Sequence, residues 1–213
     1  MTATKSEATN FYWHCRVAAA IAKFPKTPAT SANARHAVRM ATLNAAGRKG
    51  INLASSKARS ARQTSGKNWS ACGLIKEHLV PISTIFDIVL RELDNPEPRR
   101  WADYVDVPTD QNLTLWGIPA NWVTTLEAVP DELVIARVIK DNTALAWIHK
   151  DDDMKLRAAG YTKCMPQDWN GRDRYARYKA CGIELVDISG TEPKPTPAID
   201  FRLTTASEPA RDN

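Results

Sequence analysis

The stretch Lys76–Leu93, KEHLVPISTIFDIVLREL, organises the chain. Its longer part is a helix by periodicity. Ile82, Ile85, Phe86, Val89, Leu90 and Leu93 recur at helical spacing with Ile88 beside them, and Pro81 suits a first turn. That apolar face predicts the central core element, ended by Asp94 to Pro98. Its shorter part is where the charge of the chain changes sign. Residues 1–76 hold 13 Lys and Arg against one acid, Glu7, whereas residues 77–213 hold 16 against 23 acids. The net charge of +5 averages these two unlike parts.

A stretch from Thr9 to Lys76 without one acid departs from ordinary protein surface, where signs are mixed. It is the footprint expected of a polyanion-binding face, since each cation can displace a condensed counterion. DNA or RNA is therefore the expected partner. Two explanations compete: the basic part docks on the acidic part of the same chain or on an acidic partner, or the Arg-, Ser- and Ala-rich N-terminus is an organellar transit sequence, against which its length and packed-looking helices speak.

Moving outward from the charge boundary, residues 47–67 hold Arg48, Lys49, Lys57, Arg59, Arg62 and Lys67 among glycines and serines, with a short helix expected over Ser55–Gln63. This is the candidate phosphate-contacting segment, because Arg and Lys supply charge and Ser and Gly amides approach closely. Before it, Asn10–Phe24 reads as a helix stopped by Pro25. Thr27–Thr30 reads as a linker, and Ser31 caps a second helix that runs to about Ala46 and closes at Gly47. Arg35 and Arg39 share a face of that helix and join the nucleic-acid-binding set.

After the central helix, Trp101–Trp122 is turn-rich and aromatic, and Leu133–Ile139 is β-branched and fits either strand or buried helix. Thr143–Ile148 reads as a strand. Asp151, Asp152 and Asp153 open a helix closed by Gly160, Arg172–Ala180 is a further helix, and Ile183–Ile188 a strand. These elements predict one α+β domain over residues 10–189. Its basic part, 10–76, is mainly helical, and its acidic part, 77–189, holds a small sheet with helices. Residues 1–9 and the Pro-rich 190–213 are expected to be disordered.

No run of about 18 apolar residues exists, which argues against a membrane span. The polar N-terminus lacks a secretory apolar block, and the four cysteines form no CxxC pair. A cytoplasmic chain with reduced thiols is the expectation. Gly-rich phosphate loops, Gly-x-Ser-x-Gly and His-Glu-x-x-His are all missing.

Glu77-His78-Leu79-Val80-Pro81 resembles the first signature of the HNH, or ββα-metal, nucleases. The resemblance covers about eight residues. It implies a strand carrying an acid and a His, with His78 as general base on water. Glu77 would help hold a divalent metal such as Mg²⁺, and the activity would be phosphodiester hydrolysis in a defence or mobile-element setting. The chain departs from the family downstream. An amphipathic helix begins at once, Asn95 alone stands at a tolerable distance, and no His follows it nearby. His149 with Asp151 is a second candidate metal pair, which the fold would have to bring to Glu77; the same acids also serve as a helix start. The alternatives to a nuclease are a non-catalytic DNA-binding or regulatory protein, and an interaction module using the basic face.

Overall fold

The computed structural model describes residues 5–24, 26–49, 51–100 and 129–189. The expectations for residues 101–128 and 190–213 lie outside the described residues. The fold class is α+β. Among the described residues, seven α-helices accompany one four-stranded mixed sheet.

The helical layer joins α1 (Lys5–Ala22), α2 (Pro28–Lys49), α4 (Ile82–Asp94) and α5 (Asp131–Asn142). Phe11, Cys15, Ala18 and Ala19 are the buried stripe of α1, and Ala34, Ala37, Val38, Ala41 and Ala45 that of α2. Small side chains let these two helices approach closely. Ile85, Phe86, Ile88 and Val89 of α4 close the same core from the other side.

Two boundaries differ from the sequence reading. Helix α1 begins at Lys5, ahead of Asn10, so part of the segment expected to be disordered is helical. Helix α2 begins at Pro28, because Thr27 and Thr30 cap each other: Thr30 N–H donates to Thr27 Oγ1 at 3.2 Å and Thr27 N–H to Thr30 Oγ1 at 2.8 Å. The expected linker is therefore a cap. At its other end α2 runs through Gly47 to Lys49; the buried Ala45 and Ala46 supply packing that outweighs the ~1 kcal/mol helix cost of one glycine.

The sheet runs β2 (Ile75–His78), β3 (Leu145–Ile148), β1 (Leu53–Ser55), β4 (Leu185–Asp187). Strands β1 and β3 are parallel, and the two outer strands run antiparallel to their neighbours. Alternation along the strands gives the sheet two dry faces. One buries Ala146 and Ile148 with Leu156 of α6 (Lys150–Ala158) and Tyr178 of α7 (Ala176–Ala180). The other buries Ala54, Trp147 and Ile188 with Ala58 of α3 (Ser56–Ser65) and Trp69.

Helix α7 is shorter than the Arg172–Ala180 expectation. Asn170 Oδ1 accepts from the amides of Arg172 and Asp173, and Asp173 Oδ1 from that of Tyr175, which holds the start of the segment in turns. The ambiguous Leu133–Ile139 is helix α5. Its Leu133, Val134, Ile135, Ala136, Val138 and Ile139 are all buried, so no polar face was left to reveal the helical period.

The charge boundary is not a structural one. The basic part supplies α1 and α2 to the helical layer, but also β1 and α3 to the sheet; the acidic part supplies α4 and α5 as well as β3 and β4. The expected placement of the whole sheet in the acidic part is corrected accordingly. Basic and acidic parts interleave in both layers.

Candidate nucleic-acid interface

The predicted cations divide by location. Arg35 and Arg39 are exposed on α2, with the Arg35 guanidinium 5.1 Å above the Phe86 ring of α4. Arg48 and Lys49 lie in the last turn of α2. Lys57, Arg59 and Arg62 lie on α3, and Lys67 follows in the next turn. Ser55 caps α3 by accepting from the Ala58 amide, and Gly66, at φ 64°, ends it in the left-handed conformation that Gly adopts without strain. A short helix between two firm stops thus presents these cations in a fixed order.

Among the described side chains, few of them are neutralised by an acid. Lys57 Nζ lies 3.2 Å from Asp151, but among the described residues no acid pairs with Arg39, Arg59, Arg62 or Lys67. Docking of the basic part on the acidic part therefore takes up Lys57 but leaves Arg59, Arg62 and Lys67 without an acidic partner among the described residues.

Arg62, Trp69, Trp147 and Lys76 form one row. The Arg62 guanidinium sits 5.8 Å from the Trp69 ring centre, the Trp69 and Trp147 rings stack at 6.3 Å and 14°, and Lys76 Nζ lies 5.0 Å over Trp147. Sheet register builds it, because Lys76 is the direct cross-strand partner of Trp147. Lys76 and Trp147 were not assigned to a site from sequence; their pairing is non-local, and only the unusual number of tryptophans hinted at it.

Glu77 and His78 lie on strand β2. Alternation turns Glu77 to the opposite sheet face from Lys76, towards α7. There the fully buried Arg177 donates to Glu77 Oε1 at 2.8 Å, to Leu79 O at 3.0 Å, to Tyr161 O at 2.8 Å and to His78 O. Tyr178 Oη donates to the same His78 carbonyl at 3.3 Å, and burial holds its phenol well above the ordinary range. Glu77 is thus the counter-ion of a buried guanidinium that fastens α7 to the edge strand. Burial, helped by the Arg177 charge, lowers the His78 pKa to about 4, so the imidazole is neutral near pH 7. Its Nδ1 is buried without a hydrogen-bond partner among the described residues.

His149 and Asp151 lie elsewhere. His78 pairs with Leu145 and Ile75 with Ile148, so His149 falls beyond Ile75, four strand positions from His78 or about 13 Å. His149 Nδ1 caps α6 by accepting the Asp151 amide at 3.3 Å. The bond from Lys57, with His149 and Lys150 nearby, holds the Asp151 carboxyl below its ordinary range. The fold brings the predicted Lys57, His149 and Asp151 together, but not to Glu77. Asn95 ends α4, about 20 Å along the helix from Pro81, where its Oδ1 accepts the Glu97 amide.

The divalent metal implied by the nuclease resemblance does not fit these donors. Glu77 already neutralises Arg177, whose positive charge would oppose a second cation at the same carboxylate. His149 and Asp151 belong to the other end of the strand pair, and no group of three metal-ligand side chains occurs among the described residues. Also among the described residues, no helix is long and apolar enough to cross a membrane. Comparison with protein-family models, curated proteins and solved structures gives no match, so the functional reading rests on the residues of the chain itself.

Proposed function

We propose that this protein binds nucleic acid in the cytoplasm through the face carried by α3 and the turn after it. One observation carries the reading: Arg59 and Lys67 are exposed, Arg62 half-buried, and none has an acidic partner among the described residues, in a stretch without acids from Thr9 to Lys76. Unpaired cations on one helix and its following turn suit a phosphate backbone, which presents one charge per nucleotide. An acidic protein partner meets the same charges without that regular spacing.

The test is anisotropy of labelled DNA and RNA with wild-type protein and an Arg59→Ala, Lys67→Ala variant. Loss of affinity for both nucleic acids in the variant is expected. Unchanged affinity removes α3 from the interface.

A nuclease of a defence or mobile-element system is the catalytic form of the same proposal, with His78 as base and Glu77 as its acid. The Glu77–Arg177 pair favours the non-catalytic form, because it assigns that carboxylate a structural partner. Cleavage by wild type and by His78→Ala, with and without Mg²⁺, separates the two. His78-dependent, Mg²⁺-dependent cleavage establishes the enzyme; absence of cleavage with binding intact leaves a binding or regulatory protein.

A further inference from the structure

A buried indole N–H ordinarily finds an acceptor. Trp69 and Trp147 are 3% and 5% exposed, yet neither Nε1 has a hydrogen-bond partner among the described residues. The Arg62 Nε, next in the row, is likewise buried and unpartnered. All three atoms are donors only. Three unpartnered donors in one cation–indole–indole–cation row, on the sheet face that α3 covers, mark a place where acceptor atoms are expected.

The two outer members of the row are long, flexible side chains. Lys76 is exposed and Arg62 half-buried, and each lies near the ring centre of one indole, at 5.0 Å and 5.8 Å. An exposed side chain such as Lys76 changes rotamer in picoseconds to nanoseconds, so it can leave Trp147 for a phosphate without rearranging the backbone. A base stacked on an aromatic ring is held more firmly than a cation resting on it at an exposed site, and a displaced Arg or Lys gains a phosphate. A polyanion with free bases supplies both partners of that exchange.

We infer that Arg62, Trp69, Trp147 and Lys76 form a stacking site for single-stranded nucleic acid. One base replaces Arg62 on Trp69 and another replaces Lys76 on Trp147, and the two freed cations take the flanking phosphates. Duplex bases are already stacked on one another and have no free face for the indoles. The inference rests on the nucleic-acid reading above and names the form of nucleic acid.

The experiment titrates ¹⁵N-labelled protein with an oligothymidylate and, separately, with a duplex of equal length. The indole N–H resonances are assigned through Trp69→Phe and Trp147→Phe. Single strand is expected to shift both indole resonances, duplex to leave them in place, and Trp147→Leu to weaken single-strand binding about tenfold with duplex binding unchanged. Equal binding of both forms with unmoved indole resonances overturns the stacking site and leaves the nucleic-acid reading intact. Binding of neither form overturns both. If Trp147→Leu does not fold, the wild-type indole resonances decide alone.

Discussion

Arg177→Met removes the buried guanidinium that joins α7 to β2 while keeping most of the side-chain volume. Five acceptors lose the Arg177 donor: Glu77 Oε1, Tyr178 Oη and the carbonyls of Leu79, Tyr161 and His78, the last of which keeps the Tyr178 hydroxyl. Arg177 is fully buried, and the Glu77 side chain is only 23% exposed, so water recovers little of the loss. Breaking a buried pair by removing one partner costs about 3–5 kcal/mol. For a chain of this size that is a fall in Tm of about 6–20 °C. Glu77→Gln keeps an acceptor oxygen in place and is expected to cost less, about 1–3 kcal/mol. Urea denaturation followed by helical circular dichroism measures both, and the double variant reports the coupling between the two residues. The comparison also bears on catalysis: a structural Glu77 loses stability on substitution, whereas a catalytic one loses turnover with stability unchanged. A cost below about 1 kcal/mol for Arg177→Met refutes the reasoning, because it means the network is not what holds α7 to the strand.

Stability should also carry a signature of His78. Its folded pKa is about 4 and its ordinary value 6.5, so between these two the unfolded chain binds the proton and the native one does not. The contribution is therefore complete above pH 6.5 and falls as pH drops towards 4, by about 3 kcal/mol at most. His78→Gln should flatten this slope in urea midpoints at pH 7 and pH 5; an identical slope in the variant counts against it. Ser55→Ala removes both the cap on α3 and the 2.6 Å bond to the buried Asp152. It is expected to cost about 2 kcal/mol and to speed hydrogen exchange at Ala58, and unchanged exchange there would contradict the capping role.

The sequence displayed its local structure better than its site. Helix α4 was readable because its buried and exposed positions alternate with the helical period, and α3 because serine and glycine sit at its two ends. Helix α5 was not, since burial on most sides erases the period that a pattern depends on. The site residues were harder for a different reason. Glu77 meets a partner 100 residues away, and the Arg177 that claims it sits in a segment resembling an ordinary amphipathic helix. Lys76 meets Trp147 only through the β2–β3 register, which no local pattern specifies. Local chemistry could propose Glu77 and His78 as a pair acting together. Strand alternation sends their side chains to opposite faces of the sheet.

On the proposed reading, Arg59, Arg62 and Lys67 of the acid-free stretch meet a phosphate backbone. The slope of log affinity against log salt, measured for a single-stranded oligonucleotide, tests it most directly. A steep negative slope is expected for the wild type, reduced by about one each for Arg59→Ala and Lys67→Ala. A flat slope, or one that neither substitution changes, would contradict it.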